Sequence, residues 1–314
     1  MVGQDGGQSI PLDDGRSLFL FSDTLLAPPP SPLPSHRGWF LGNCAAIGAA
    51  TTQTLPLAMA ELSYITDASG RPRELLPLTI VERAAGLRLW PEHGLCLDDK
   101  VIFFYLAIRQ YESGTWGFAE VGTGLATLDL STGHCVRWMD GNEWRPWPSL
   151  PPDCHCGVQL MRLDAVVYIF CSRPRGLHSE AFLARVPVAE MTQPRCYEFF
   201  RGEGPVWTQN FAEARPLTQC SSEYSVAFNQ HLGCYLMTYV EAHTKQLCLR
   251  TAPEPWGPYS EALGVGIVLH HSSAQLVSLG FQHPQFDVDA GRTIFISYSQ
   301  PHFTQNAMIE LTFV

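Results

Sequence analysis

Hydrophobic residues recur along the chain in short runs, and each run follows a turn rich in Asp, Asn or Gly. Five such segments read alike: LDDGRSLFLFS (12–22), LDDKVIFFYLA (97–107), RLDAVVYIFCS (162–172), NQHLGCYLMTY (229–239) and DVDAGRTIFISYS (287–299). β-Branched, aromatic and aliphatic residues after a turn are typical of buried strands. Successive copies begin about 60–85 residues apart, without a long helical pattern between them. The repeat predicts an all-β, five-bladed β-propeller that occupies residues 1–314 as a single domain.

Further strand-like runs between the copies divide the chain into five predicted blades. They lie at 37–50 and 56–65; 87–97, 124–130 and 134–139; 156–163, 181–188 and 195–201; 221–229 and 246–252; and 280–288. The C-terminal run 307–314 is expected to pair into the blade that contains 17–22. Such a strand would close the ring and remove an exposed edge.

Composition narrows the class of protein. With 314 residues and 46% hydrophobic content, the chain can bury a large core, and its 24 Pro and 26 Gly suit turns and short strands. The net charge is −10 and no Lys/Arg cluster is present, so nucleic-acid binding is not expected. Apolar runs stay shorter than the roughly 18 residues of a membrane span, so no membrane partner is expected.

The N-terminal sequence and the cysteines bear on location and on metals. MVGQDGGQSIPLDDG has neither the basic nor the apolar region of a secretory signal. Ten cysteines are scattered, and Cys154 and Cys156 form a close pair without partners at zinc-ligand spacing. We therefore expect free thiols, a cytoplasmic protein, no metal site and no cofactor. If a signal had been removed, the protein would be secreted instead.

Polar residues in the predicted inner strands are candidates for a functional site. In a propeller, the strand that precedes each repeated segment lines the central funnel. The candidates on or beside such strands are Trp90, Glu92 and His93 in blade two, Asp153 and His155 in blade three, Glu223 and Tyr224 in blade four, and His283 in blade five. Blade one adds Asp23, at the end of an apolar strand, and Asn43.

Carboxyl groups that converge with His and Trp suit sugar chemistry, in which one carboxyl donates a proton and another is ionised. Asp23, Glu92 and Glu223 are the catalytic candidates. Glu223 is expected to be the acid because Tyr224 and the following apolar strand would desolvate it, and Asp23 is expected to be the ionised base. Trp90, His93, Tyr224, Asn43 and His283 are the substrate-binding candidates.

Each candidate also has a structural interpretation. Asp23 could hydrogen-bond backbone N–H groups of a turn, and Glu223 could be a solvated carboxylate at the start of a strand. Asn43 could satisfy buried backbone groups. His283 could bind a neighbouring blade as readily as a ligand.

Several segments together resemble a bacterial family of five-bladed propellers that includes endo-D-arabinanases. They are LFLFSDT, WFLGNCAAI, LWPEHGLCLDDKVIFFYL, CYEFFRGEGPVW, SSEYSVAFNQHLGCYLMTY, LRTAPEPWGPYS and HPQFDVDAGRTIFISYS. The family is more distantly similar to the arabinanase and levansucrase superfamily. The resemblance implies glycan hydrolysis, with Asp23 matching the acidic residue of blade one. It also implies a second acidic residue on the next strand, where this chain has Asn43, and an amide cannot act as an acid or base.

Two classes of function are therefore open. The first is a glycoside hydrolase-like enzyme that acts on a glycan or glycoside through a carboxylate pair. The second is an intracellular propeller of small-molecule metabolism, such as a cyclase or isomerase, or a non-catalytic binder. The funnel carboxyl groups and the resemblance favour the first, and Asn43 and the cytoplasmic features favour the second.

Overall fold

The strands of the protein form five antiparallel sheets, each built around one of the repeated hydrophobic segments. The structure is a computed structural model and describes residues 3–27, 39–48, 61–110, 117–202, 204–268, 277–299 and 306–314. The sheets follow one another along the chain as the blades of a five-bladed β-propeller. The predicted fold is confirmed.

The blades differ in their number of strands. Blade one contains β1 (Gly3–Pro11), β2 (Ser17–Leu26), β3 (Trp39–Leu41), β4 (Cys44–Gly48) and β5 (Ser63–Tyr64). Blade two contains β6 (Leu87–Leu97), β7 (Lys100–Gln110), β8 (Phe118–Asp129) and β9 (Cys135–Arg137). Blade three contains β10 (His155–Leu163), β11 (Val166–Arg175), β12 (His178–Pro187), β13 (Glu198–Gly202), β14 (Val206–Thr208) and β15 (Thr218–Cys220).

Blade four has four described strands, as blade two does, and blade five has three. Blade four contains β16 (Ser225–Asn229), β17 (Cys234–Glu241), β18 (Gln246–Ala252) and β19 (Leu263–Ile267). Blade five contains β20 (Ser278–Gln282), β21 (Thr293–Ser299) and β22 (Asn306–Thr312). Strand order within the blades follows the chain, except that β3 pairs with β2 and β15 pairs with β12.

In the described ranges, helical structure is confined to short segments. The helix α1 (Ile80–Ala84) begins at a capping box, in which Thr79 and Glu82 each accept from the other's backbone N–H. Single 3-10 turns occupy 188–190, 194–196, 211–213, 284–286 and 289–291. Among the described residues, no helix has the length and apolar character needed to cross a membrane.

A hydrophobic cluster lies between each pair of neighbouring blades. Blades one and two share Leu20 and Leu89, blades two and three share Phe104 and Ile169, and blades three and four share Phe170 and Met237. Val240 and Ile294 pack between blades four and five, and Phe19 and Phe286 between blades five and one. The apolar faces of every sheet are thus buried against both neighbours, which closes the ring.

The ring does not close in the predicted way. The C-terminal strand β22 pairs with β21 over Thr293–Ser299, so it belongs to blade five and not to the blade of Ser17. Blade one is instead completed by β1, which pairs with β2. Side chains join the two blades: Asn306 Nδ2 donates to Gly6 O at 2.9 Å. An N-terminal strand already fills the position that the C-terminal strand was expected to take.

Two cysteines depart from the predicted free thiols. Cys156 of β10 and Cys171 of β11 form a disulfide across the two strands. The other eight cysteines are free, and Cys154 is buried beside this pair without joining it. The expectation of free thiols is therefore corrected for Cys156 and Cys171.

Candidate active site

The first strand of each blade lies innermost, and bulges interrupt most of these strands. In the described part of the chain, the pairing register shifts around Gly6 in β1, between Pro91 and Gly94 in β6, after Cys156 in β10 and after Leu279 in β20. A bulge interrupts the alternation of side chains between the two faces of a strand, and bulges are common beside active sites. Gly6 adopts φ 83°, which suits a residue without Cβ. These irregularities present polar side chains at the centre of the ring.

A cavity of about 750 Å³ opens at this centre and receives side chains from all five blades. Its lining includes Asp5 and Asp23 from blade one, Trp90 and Glu120 from blade two, and His155 from blade three. Glu223 of blade four and Ser278 of blade five complete the ring of contributors. A narrow recess shares Asp5, Trp90 and Glu223 with the cavity and adds Gln8 and Glu92. The volume suits a small ligand.

A buried ion pair stands at the floor of the site. Nε2 of His155 lies 2.8 Å from Oε1 of Glu92, and Gln8 Nε2 donates to Oε2 of Glu92 at 3.3 Å. Burial disfavours the imidazolium, but the negative charge of Glu92, with Glu120 and Glu223 nearby, outweighs it and raises the pKa of His155 to about 9. His155 is therefore cationic at neutral pH, and Glu92 is its counter-ion.

Glu223 and Asp5 share the floor, and their pKa values differ. Burial, with the carboxylates of Asp5 and Glu92, raises the pKa of Glu223 to about 8. Burial also raises the pKa of Asp5, to about 6, although hydrogen bonds from Ser299 and from the N–H of Gly6 favour its ionised form. At pH 7, Glu223 holds its proton and Asp5 is mostly ionised. Paired carboxyl groups whose environments separate their pKa values mark acid and base roles.

Leu279 supports Glu223 through a strained backbone. Its N–H donates to the Glu223 carboxyl group, and its φ of 75° is rare for a residue with a Cβ. Leu279 also lines the recess. Strain of this kind persists where the surrounding structure enforces it, and it clusters at ligand sites.

Asp23 lies at the wall of the cavity and is held by two donors. Arg88 Nη1 donates to Oδ2 at 2.7 Å, and Trp90 Nε1 donates to Oδ1 at 3.0 Å. Burial raises the pKa of Asp23, although Arg88 and Trp90 favour the carboxylate. The two hydrogen bonds and the ion pair with Arg88 show that Asp23 holds Arg88 and Trp90 in place at the wall.

Glu120 is a further carboxyl group in the cavity. Burial raises its pKa to about 7, with the nearby imidazolium of His155 acting in the opposite direction. Its Oε2 atom is buried and accepts no hydrogen bond from any residue that the structure describes. Among the described residues, no three His, Cys, Asp or Glu side chains form a group that could hold a metal ion.

Asn43 does not line the cavity. Its Oδ1 accepts from the N–H groups of Leu75 and Leu76 at 2.9 and 2.8 Å, and its Nδ2 donates to the carbonyls of Leu76 and Leu89. Asn43 is 2% exposed. The expected position in the central pocket is corrected: the amide ties blade one to the chain that enters blade two.

His283 is likewise placed between blades. Its ring nitrogens lie 2.6 Å from Ser9 Oγ and 2.9 Å from Ser297 Oγ, and it is fully buried. Burial lowers the pKa of His283 to about 3, so the ring is neutral. The histidine joins blade five to β1 and does not reach the cavity.

His93 and Tyr224 also turn away from the cavity. Nδ1 of His93 accepts from the N–H of Leu160 at 3.2 Å, and burial lowers the pKa of His93 to about 4. The Tyr224 hydroxyl donates to Cys171 O at 2.7 Å. Both side chains link neighbouring blades. Of the predicted site residues, the structure brings together Asp23, Trp90, Glu92 and Glu223, with His155.

Sequence reasoning missed Asp5 and Glu120. Asp5 lies in the run GQDGGQSIP, whose Gly and Gln residues lack the hydrophobic pattern that predicts a strand. Its position before the first repeated segment is the signal that could have found it, since inner strands precede these segments. Glu120 lies in β8, which begins six residues before the predicted strand 124–130. A single charged residue between apolar neighbours does not form a motif that marks a functional site, so Glu120 was not identified.

Solved structures of similar fold are sugar-processing enzymes or hydrolases by description. The chain superposes on a "putative hydrolase" from Bacteroides ovatus with a TM-score of 0.68 at 14% identity, covering 98% of this chain and 84% of that one. The Bombyx mori GH32 β-fructofuranosidase in complex with sucrose superposes with a TM-score of 0.58 at 8% identity, and the match covers 100% of this chain and 61% of that one. The Phanerochaete chrysosporium exo-β-1,3-galactanase superposes with a TM-score of 0.56 at 10% identity, and the match covers 99% of this chain and 61% of that one. At these identities the likeness concerns the fold alone.

Sequence comparison identifies the family. No curated protein matches the chain. Residues 1–306 match the family described as Domain of unknown function (DUF4185), a stretch that runs from β1 to the start of β22 and contains every residue of the cavity. The chain belongs to this family.

Proposed function

We propose that the protein is a glycosidase-like hydrolase in which Glu223 is the general acid and Asp5 is the ionised carboxylate. The observation that carries this proposal is the separation of their pKa values, to about 8 and about 6, within one cavity. Glycoside hydrolysis needs one carboxyl group that keeps its proton at neutral pH and a second that has lost it.

The steps follow from these states. Glu223 gives its proton to the glycosidic oxygen, so that the bond between this oxygen and the anomeric carbon breaks and the alcohol leaves. Asp5 stabilises the positive charge that develops at the anomeric carbon. Water supplies the hydroxyl group of the new sugar end, and its other proton passes to the Glu223 carboxylate, which restores the protonated acid while Asp5 stays ionised.

Glu92 and His155 support the pair without taking part in proton transfer. Their opposite charges cancel within the floor, at an Oε1–Nε2 distance of 2.8 Å. The carboxylate of Glu92 raises the pKa of Glu223, and the imidazolium of His155 limits that rise. Asp23, which the sequence predicts to be the base, is assigned here to orienting Trp90, because Arg88 and Trp90 occupy its two oxygens.

The neighbours in fold support the sugar substrate class. One is a GH32 β-fructofuranosidase in complex with sucrose, and another is an exo-β-1,3-galactanase in complex with a galactotriose. Because both resemble this chain in fold alone, the roles of Asp5 and Glu223 depend on this cavity and not on the neighbours.

Activity against a panel of nitrophenyl glycosides and oligosaccharides tests the proposal. We expect Glu223→Gln and Asp5→Asn each to lower kcat at least about 100-fold. Asp23→Asn should mainly raise KM. Glu261→Gln is the matched control, because Glu261 is exposed and lies outside the cavity lining.

Two outcomes would overturn the assignment. Wild-type rates in Asp5→Asn with a loss in Asp23→Asn would return the base role to Asp23. If no glycoside is cleaved and an intracellular metabolite instead protects the fold on heating, the protein belongs to the metabolic class of propellers.

A further inference from the structure

One face of blade two forms an apolar wall of the cavity. Its side chains alternate along three neighbouring strands and meet in register, with Trp90 opposite Leu106 and Arg88 opposite Ile108. Further along, Ile108 lies opposite Glu120, and Gln110 opposite Phe118. All of these residues line the cavity.

This wall continues a face that is buried elsewhere. Ile102 and Phe104 of β7 point to the same side as Leu106 and Ile108, and they pack against blade three in the core. Leu106 and Ile108 line the cavity but are themselves only 2% and 1% exposed. Trp90 and Phe118, which are partly exposed, therefore form the part of this face that a ligand can contact.

Two exposed hydrophobic side chains extend the wall at the mouth. Phe40 of β3 is 47% exposed and Leu177, in the turn between β11 and β12, is 74% exposed, and both line the cavity. Phe118 packs edge-on against Trp90, with ring centroids 4.7 Å apart. Phe40 and Leu177 thus add to the apolar part of the cavity lining that Trp90 and Phe118 provide.

The polar groups of this wall are mostly occupied. Arg88 donates to Asp23 at 2.7 Å and to Gln110 Oε1 at 2.6 Å, and its guanidinium lies 4.4 Å from the Phe40 ring centroid. Glu120 is the exception, and it lies toward His155 at the floor. A second sugar on this wall would have to compete with these contacts for Arg88 and Gln110, whereas an apolar group would leave them in place.

The opposite side of the cavity has a different character. Blades four and five contribute hydroxyl and titratable groups: Ser221, Ser222, Glu223, Glu241, His243 and Ser278. Groups of this kind can bind the hydroxyl groups of one sugar ring. Asp5 and Glu223 line both the cavity and the narrow recess, which also includes Trp90 of the wall.

We propose that the substrate is a glycoside with an apolar aglycone, an alkyl or aryl group that binds against Trp90, Phe118 and Leu177. The sugar lies toward the serine-rich side, and the scissile oxygen lies above the carboxyl pair. This inference rests on the proposed glycosidase function for its sugar half. The binding of an apolar aglycone is inferred from the wall alone, so aglycone binding and sugar hydrolysis can be tested separately.

Binding of N-phenyl-1-naphthylamine, a neutral probe that fluoresces in apolar surroundings, tests the wall without hydrolysis. The wild-type protein should bind it, and Phe118→Ala and Leu177→Ser should each weaken binding by about fivefold or more, as expected for lost apolar contact. Leu177→Ser is included because so exposed a side chain can be changed without loss of folding. Phe40→Ala has a matched control in Phe228→Ala, since both phenylalanines are 47% exposed and Phe228 lies outside the lining.

Paired methyl and hexyl glycosides of the same sugar complete the test. Hexyl glycosides should displace the probe at concentrations at least about tenfold lower than methyl glycosides, and Phe118→Ala should reduce that ratio. Equal displacement by both, or probe binding unaffected by Phe118→Ala and Leu177→Ser, overturns the inference even if sugars are hydrolysed. Probe binding that depends on these residues, with no hydrolysis of any glycoside, keeps the apolar subsite and removes the proposed function.

Discussion

Glu92 and His155 form an ion pair between the inner strands of blades two and three, with Oε1 and Nε2 2.8 Å apart. Their side chains are 6% and 3% exposed, so neither charge is solvated by bulk water. Each group is therefore stabilised chiefly by the other. The pair fixes two adjacent blades at the floor of the cavity, where Gln8 of β1 also donates to Glu92.

Removing either member should be costly. We expect His155→Ala to lower the free energy of unfolding by about 3–5 kcal/mol at pH 7, because it leaves Glu92 buried without its counter-ion. Glu92→Gln together with His155→Ala should cost less than the sum of the single changes, by at least about 1 kcal/mol. Denaturant unfolding of the four proteins measures this coupling. Asp14→Asn provides the exposed control, since Asp14 and Arg16 are each 50% exposed, and its cost should stay below about 1 kcal/mol.

The pH dependence of catalysis follows from the two carboxyl groups of the floor. Because the pKa of Asp5 is about 6 and that of Glu223 about 8, a bell-shaped profile of kcat/KM with limbs near these values is expected. Activity falls below the lower limb as Asp5 gains a proton and above the upper limb as Glu223 loses one. A profile that stays flat from pH 5 to pH 9 would contradict the assignment of the pair.

The fold could be predicted because its signal repeats. Each central strand, such as β7 or β11, is a continuous apolar run after a turn, and such runs bury both faces in a propeller. The strand β1 gave no such signal, since its sequence GQDGGQSIP is polar and rich in glycine. Its bulged pairing with β2 and its place at the centre, and not hydrophobicity, make it a strand. The error in ring closure and the omission of Asp5 have this common cause.

The site could be predicted only in part. Polar residues on inner strands were identified, but a polar side chain there can face either the cavity or the next blade. Glu92 and His93 are adjacent in one bulge, and yet Glu92 reaches the recess while His93 accepts from the N–H of Leu160 in blade three. Alternation does not hold within a bulge, so the sequence cannot distinguish these directions.

Asn43 offers a test of a structural role. Asn43→Ala should lower the free energy of unfolding by about 2–4 kcal/mol, because the N–H groups of Leu75 and Leu76 lose their acceptor in a buried site. The catalytic rate of the folded variant should stay within about twofold of wild type, since Asn43 does not line the cavity. Asn142→Ala, at an exposed position, serves as the control. A loss of rate without a loss of stability would place Asn43 in ligand binding after all.

Glu223 should make the protein less stable at alkaline pH. Its folded pKa of about 8 lies above the ordinary 4.5, so the folded chain keeps a proton that the unfolded chain releases. The resulting stability is fully present below pH 4.5 and is lost as pH rises through about 8, where a buried carboxylate must form. Because glutamine has no proton to lose, Glu223→Gln should match wild type near pH 4 and exceed it by a few kcal/mol, on the order of 2–4, at pH 9.

Melting temperatures of both proteins across pH 4–9 measure this difference directly. His155, whose pKa the carboxylate of Glu223 helps to raise, loses its proton only near pH 9, so the two proteins are compared mainly between pH 4 and pH 8. Glu261→Gln, which removes an exposed carboxylate, should follow wild type at every pH. Parallel curves for wild type and Glu223→Gln would show that Glu223 ionises in the folded protein as it does in water, and the acid role would then have no physical basis. A rising advantage for the glutamine variant, together with its loss of activity, would show that stability is given up at the position where catalysis needs a proton.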